Sequence, residues 1–218
     1  MFGVTPPRPP QLRARLATHR RVEASAVPGR RNDRRAGVLV PIVWDPDPVV
    51  IVTLRPASLR RHGGEVCFPG GRPEPGDADL WETAVREARE ELSIVATERL
   101  GRLSSIPLYT SEFRLEPFVA RVDASGLRPD PAEVAAVYRL DPRDVFERAE
   151  LEGIAYEHDG VRALSPLFEL TDGTLMFGAT AHSYWELLEV MAPLYRATLP
   201  GLVESDLSWP DVLGGRAR

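Results

Sequence analysis

The feature that most constrains this chain is a pair of neighbouring apolar runs, residues 36–44 (AGVLVPIVW) and 49–54 (VVIVTL), separated by Asp45-Pro46-Asp47-Pro48. Each run is short, bounded and rich in β-branched residues, the pattern of a buried strand. The Asp-Pro repeats between them are turn chemistry, because Pro presets φ and Asp bonds its own backbone. Two adjacent buried strands commit the chain to a sheet that must be covered. Helical periodicity appears in residues 80–92, where Ala84, Ala88 and Leu92 share a face beside Val85, and again over about 180–198. Asp79 with Glu82 three residues on predicts an N-cap and a capping box for the first helix. Further strands are expected near 99–106, 113–122, 134–140, 153–157 and 162–169, and a short helix at 141–149. Strands and helices alternate irregularly, which predicts an α/β (α+β) sandwich with a mixed sheet.

The 218 residues, 43% of them hydrophobic, suit one domain with extensions. Residues 1–35, rich in Pro and Arg, read as a loose arm, although Leu12 and Leu16 stand at the spacing of a short helix. The domain is expected over 36–199 and a tail over 200–218. Net charge of −5 lacks the basic footprint of a nucleic-acid binder. No run approaches the ~20 apolar residues of a membrane span, and the first residues have no apolar signal core. Cys67, the one cysteine, has no intrachain partner, which fits a reducing compartment. The expected location is the cytoplasm. All 27 basic residues are arginine, so Schiff-base chemistry and a P-loop lysine are excluded. No Ser/His/Asp triad and no zinc spacing is legible.

Chemistry concentrates in Arg86-Glu87-Ala88-Arg89-Glu90-Glu91. Spacings of three and four place Glu87, Glu90 and Glu91 near one side of a helix, where like charges cost about 0.2–0.5 kcal/mol per pair. One account is a solvated acidic face with Arg86 and Arg89 as partners. The other is a site for Mg²⁺ or Mn²⁺, which prefer oxygen ligands. Gly70-Gly71 upstream can bring bare backbone to a metal or ligand, so a loop carbonyl and the helix carboxylates can share one ion.

These residues resemble the Nudix box, whose pattern is Gly, five residues, Glu, seven residues, Arg-Glu-aliphatic-x-Glu-Glu-x-Gly-aliphatic. Here Gly71 is followed by Asp77 in place of Glu, then by eight residues, then Arg86-Glu87-x-x-Glu90-Glu91. Ser93 stands at the Gly, followed by the aliphatic Ile94. That position is read as a left-handed helix end, where Ser costs roughly 1 kcal/mol. The block Thr53-Leu54-Arg55 and Leu59-Arg60-Arg61-His62-Gly63-Gly64-Glu65-Val66-Cys67-Phe68-Pro69-Gly70-Gly71 resembles the signature of the coenzyme A pyrophosphatase branch, which also carries the longer spacing and the Asp. Looser matches lie at Tyr109–Phe113, where Glu112 replaces Gly, and at Phe177-Gly178-Ala179-Thr180-Ala181.

The resemblance implies an α/β/α sandwich and a pyrophosphohydrolase acting on a small nucleotide substrate, CoA or acyl-CoA. It implies metal on Glu87, Glu90, Glu91 and Gly71, and Arg86 orienting a metal-binding Glu; the base is a carboxylate, most simply Glu90, and which Glu serves differs across Nudix enzymes. Glu133 is a rival base, with a plain surface charge as the other reading. Arg55, Arg60 and Arg61 are candidates for substrate phosphate, since guanidinium forks match phosphate oxygens. His62, Glu65 and Phe68 are further candidate substrate contacts, with loop support the competing role for His62 and Glu65. Cys67 reads as packing and not as a nucleophile. Two alternatives stay open: a Nudix hydrolase of NADH, ADP-ribose or a dinucleoside polyphosphate, and a catalytically silent module that senses a nucleotide.

Overall fold

The computed structural model describes residues 6–158 and 160–214. In chain order the elements are α1 (Pro9–Thr18), β1 (Arg34–Trp44), β2 (Pro48–Leu54), β3 (Val66–Cys67), β4 (Gly70–Gly71), α2 (Leu80–Leu92), β5 (Val95–Arg102), β6 (Ile106–Pro107), β7 (Phe113–Asp123), β8 (Ala136–Leu140), α3 (Pro142–Phe146), β9 (Glu150–His158), β10 (Val161–Pro166), β11 (Phe168–Glu169), β12 (Leu175–Met176), α4 (Gly178–Met191), β13 (Gly201–Glu204) and α5 (Trp209–Gly214).

The two apolar runs pair antiparallel, with Ile42 opposite Val50. They sit in a mixed sheet ordered β3-β2-β1-β7-β5, with β8 on β2, β4 on β1 and β6 on β7. β1 and β7 are parallel and buried over most of their length, β1 through its unbroken apolar run and β7 with Arg114 and Glu116 buried among its apolar residues. Period-two alternation divides their side chains between two cores. Leu39, Ile51, Phe118, Ala120 and Val122 face α2, where they meet Ala84, Ala88 and Leu92. Val38, Val40, Ile42, Val50, Val52 and Val119 face Leu12 and Leu16 of α1 and Tyr184, Leu187, Leu188 and Met191 of α4. The protein is thus an α+β sandwich with a mixed sheet between helical layers.

Three details differ from the sequence pattern. The segment read as a loose arm carries α1, with Leu12 and Leu16 fully buried. Two leucines four apart suffice to dock a short helix, while the surrounding Pro and Arg hide them from a compositional reading. Residues 1–5 of the arm and 215–218 of the tail lie outside the described residues. The last long helix stops at Met191 and passes into a 3₁₀ turn at Ala192–Leu194, because Pro193 has no N–H to continue the ladder. The single strand expected over 99–106 is split into β5 and β6.

The start of α2 follows the predicted cap. Asp79 accepts from the Glu82 N–H at 2.9 Å, while Glu82 reaches back to the N–H of Ala78, one residue earlier than a reciprocal box requires. Its end is left-handed at Ser93, with φ 55° and ψ 25°. Ser93→Gly is therefore expected to stabilise the fold by about 1 kcal/mol. A urea titration checks this, and a destabilised variant would mean that the hydroxyl, not the backbone, decides the position.

Candidate functional site

Packing brings α2 against the glycine pair. β4 pairs with β1, Gly71 opposite Gly37 and Gly70 opposite Val38, and Leu39 N–H donates to Pro69 C=O at 2.9 Å. Two close approaches shape this region, the first against backbone and the second against the end of a side chain. A Cβ on Gly37 would overlap the Leu80 carbonyl at the start of α2, and one on Gly71 would overlap the Glu87 carboxylate. The first fixes the helix against the sheet, and the second sets bare backbone beside a box carboxylate.

Arg86 is the centre of the site. Its Nε and Nη2 donate to the two oxygens of Asp77, both at 3.0 Å, and Nη2 also donates to the Arg72 carbonyl at 3.0 Å. Its Nη1 donates to Glu87 Oε1 and Glu90 Oε2, each at 3.0 Å. One guanidinium thus ties the loop after Gly71 to two helix carboxylates, the forked geometry that arginine alone supplies. Asp77 is further held by the Glu74 N–H and the Thr83 hydroxyl, both at 2.9 Å. The Arg86 hydrogen bond holds its carboxyl well below the usual carboxylate range. Spacing alone gives Asp77 no function; its anchoring role follows from a loop that folds back over nine residues.

Glu91 points elsewhere. It is buried, Oε1 accepts from the Gly70 N–H at 3.3 Å, and Oε2 has no hydrogen-bond partner among the described residues. Burial pushes its carboxyl up to about 8, against the opposing pull of the Gly70 N–H and the Arg55 charge. Burial also raises Glu87, opposed by Arg86 and reinforced by the charges of Glu90 and Glu133. Glu133 therefore acts on the same carboxylates from the loop before β8. A glutamate raised from an ordinary value near 4.5 to about 8 binds a proton more tightly in the folded state. Its contribution is present in full below the unfolded pKa and is lost as pH rises through 8. Metal-free protein is expected to lose thermal stability between pH 5 and 8, and Glu91→Gln to flatten that slope. Parallel slopes in the two proteins would overturn the assignment.

The basic loop closes on itself. Arg55 N–H donates to Glu65 C=O and Gly64 N–H to Arg55 C=O, both at 3.0 Å. His62 adopts φ 56°, and its Nδ1 lies 2.7 Å from Glu65 Oε2. That pair braces the loop. Arg55 is half-buried and acts on Glu91 and Cys67, whereas Arg60 and Arg61 are exposed. Phe68, expected as a substrate contact, is instead 5% exposed inside the α4-side core, because the strand alternation that turns Cys67 one way turns Phe68 the other. The Cys67 thiol is pushed up to about 11 by burial and sits 3.2 Å from the Thr53 hydroxyl, the state of an inert packing group. Glu112, where the branch has Gly, accepts from the N–H groups of Arg31 and Asn32 at 2.8 and 3.3 Å and pairs with Arg30, so it fastens the segment before β1.

Glu87 and Glu90 are brought together on Arg86, while Glu91 lies apart on Gly70. In this arrangement no three His, Cys, Asp or Glu side chains among the described residues converge to hold a metal. The donor set nevertheless fits a hard divalent cation: all the candidate ligands are oxygen, one buried carboxylate oxygen is unsatisfied, and a glycine faces Glu87.

A two-faced sandwich with a glycine strand set on an acidic helix defines the class, and the sequence comparison agrees. The NUDIX domain family model matches residues 33–160, more than half of the 218, and the chain belongs to this family. Nudix hydrolases generally use divalent metal cations. A protein named Uncharacterized Nudix hydrolase NudL, from Yersinia pestis (strain Pestoides F), is 35% identical over 133 residues, covering 59% of this chain and 66% of that protein, just under two thirds of its length. A crystal structure of a NUDIX hydrolase from Nitrosomonas europaea is similar in fold at 14% identity, covering 81% of this chain and 80% of that one with a TM-score of 0.50. Another, from Alicyclobacillus acidocaldarius, is 23% identical over 53% of this chain and 82% of that one, with a TM-score of 0.40. No helix among the described residues is long and apolar enough to cross a membrane.

Proposed function

We propose that the protein hydrolyses the diphosphate bond of coenzyme A or acyl-CoA, giving adenosine 3′,5′-bisphosphate and (acyl-)4′-phosphopantetheine. The observation that carries this reading is the block of residues 53–71, which resembles the CoA pyrophosphatase signature and ends on the glycines that meet Glu87. Glu87, Glu90, Glu91 and the Gly71 carbonyl would hold Mg²⁺ or Mn²⁺. When bound, such an ion offsets diphosphate charge and lowers the pKa of a coordinated water. Water oxygen attacks one phosphorus, the bond from that phosphorus to the bridging oxygen breaks, and the water proton passes to a carboxylate, most simply Glu90. Arg86 is a positioning residue that holds Glu87 and Glu90, and Glu133 is the alternative base. Arg55, Arg60 and Arg61 offer the cations for substrate phosphate. The lone cysteine suits a reducing compartment such as the cytoplasm.

The test compares kcat/KM for CoA and 3′-dephospho-CoA, with NADH, ADP-ribose and dinucleoside polyphosphates as further substrates. A charge-assisted hydrogen bond is worth about 1.5–3 kcal/mol. At least one of Arg55→Ala, Arg60→Ala and Arg61→Ala is therefore expected to lose roughly tenfold or more on CoA while keeping its dephospho-CoA rate. If all three change both substrates in parallel, or the wild type prefers another substrate, the broader Nudix reading replaces the CoA assignment.

A further inference from the structure

The loop before β8, which carries Glu133, is anchored to the box helix itself. Residues 128–135 read Arg-Pro-Asp-Pro-Ala-Glu-Val-Ala. Asp130 stands between two prolines, so its N–H is the one backbone donor of residues 129–131. That N–H donates to the Glu91 carbonyl at 2.8 Å, and the Arg128 N–H donates to the Leu92 carbonyl at 2.9 Å. Both carbonyls belong to the last turn of α2, which a helix leaves without internal partners. The loop therefore hangs from the backbone of a box glutamate.

Asp130 then opens a single turn. Its Oδ1 accepts from the Ala132 N–H at 2.9 Å. Its carbonyl accepts from the N–H groups of Glu133 at 3.0 Å and Val134 at 2.8 Å. An N-cap aspartate followed by proline at the first turn position presets this geometry. The far end is fixed as well. Ala135 N–H donates to the Leu54 carbonyl at 2.7 Å, and Val134, 4% exposed, belongs to the α2-side core with Ala88 and Leu92. Between these anchors Glu133 is half-buried, while Asp130, Pro131 and Ala132 are exposed. No hydrogen bond or ion pair engages its carboxylate among the described residues. Its charge falls on Glu87 and on Glu91, whose buried Oε2 is also unpartnered. Holding a further carboxylate there costs free energy until a cation arrives.

We propose that Asp130 is a positioning residue: its capped turn sets the Glu133 carboxylate beside Glu87 and Glu91, where the added charge strengthens the hold on the divalent cation. This rests on the metal-dependent hydrolase reading and not on the choice of substrate. Mn²⁺ titration of the full chain without substrate, followed by electron paramagnetic resonance of the free ion, reads that hold directly. Glu133→Gln weakens Mn²⁺ binding about three- to tenfold, the effect of one nearby charge partly screened by solvent. Asp130→Ala weakens it by a similar or smaller factor, because the turn loses its cap. Asp130→Asn, whose amide oxygen can still accept from Ala132, restores wild-type binding although the same charge is gone. Adding Asp130→Ala to Glu133→Gln changes nothing further, a result that general loosening of the fold would not give. Asp130 is exposed, so the variants fold, and Tm in a chelating buffer checks this. Wild-type Mn²⁺ affinity in Asp130→Ala overturns the proposal, as does a further loss in the double variant. Equal weakening by Asp130→Asn overturns it too, since the charge and not the cap would then be the cause. CoA turnover with normal Mn²⁺ binding in every variant removes this role for Asp130 and leaves the substrate reading standing. The expected Mn²⁺ pattern in a protein inert toward CoA supports Asp130 and overturns the substrate.

Discussion

Glu91→Gln is expected to lower turnover by on the order of 10²–10⁴-fold, the range for loss of a group at the reacting centre, while leaving the folded protein at least as stable. Both effects come from the same carboxylate. It is buried, one oxygen is unsatisfied, and its charged form is penalised by burial. Gln keeps the shape and can still accept the Gly70 N–H through its carbonyl, but it carries no charge to desolvate and none to offer a cation. Glu90→Gln separates the roles further. That side chain is 57% exposed, and its carboxylate is bound to Arg86, so the substitution costs the fold little and the rate much if Glu90 takes the water proton. The measurements are kcat at saturating Mg²⁺ or Mn²⁺ and Tm in a chelating buffer. Wild-type rates in both variants at saturating metal would show that the chemistry lies elsewhere.

How much of this was legible in the sequence depends on the range of the interactions. The strand pair and the Asp79 cap are local, and spacing gives them, while the left-handed end at Ser93 is read from the glycine that the family pattern has there. Glu87 and Glu90 meeting on one guanidinium also follows from helical spacing. Glu91, by contrast, turns away to Gly70, because packing against β1 and β4 buries that side of α2. Asp77 locks Arg86 only because the loop between Gly71 and α2 doubles back, and no periodicity encodes a loop's return. Phe68 reads as a ligand contact beside the glycines, but one step along a strand reverses a side chain's face, and that step puts it in the core. The Glu65 carboxylate and the His62 ring, offered for substrate, brace each other at 2.7 Å. Family resemblance locates the block; which of its members face the substrate is decided by alternation and loop closure.

Leu16→Ala is expected to cost about 2–5 kcal/mol, the penalty for emptying a fully buried leucine site. Composition favours the opposite outcome, since residues 1–35 read as a loose arm and a truncated leucine there would change nothing. The structure gives four reasons to expect the cost. Leu16 is 1% exposed and Leu12 0%, both inside the core shared with α4. A Cβ at Gly101 on β5 would meet the Leu16 Cβ at 2.7 Å, so the helix packs directly on the sheet at a position kept clear for it. Arg13 is ion-paired with Glu98 of β5. His19, just past the helix, lies 2.7 Å from Glu186 of α4, which also accepts from the Ser104 N–H and hydroxyl. The void left by alanine cannot collapse easily, because Gly101 offers no side chain to fill it. At roughly 2–4 °C per kcal/mol for a chain of this size, Tm should fall by ~4–20 °C. Arg15→Ala, on the exposed face of the same helix, should stay within ~0.5 kcal/mol of wild type. Equal melting temperatures for Leu16→Ala and Arg15→Ala would return the segment to the loose arm that its composition describes.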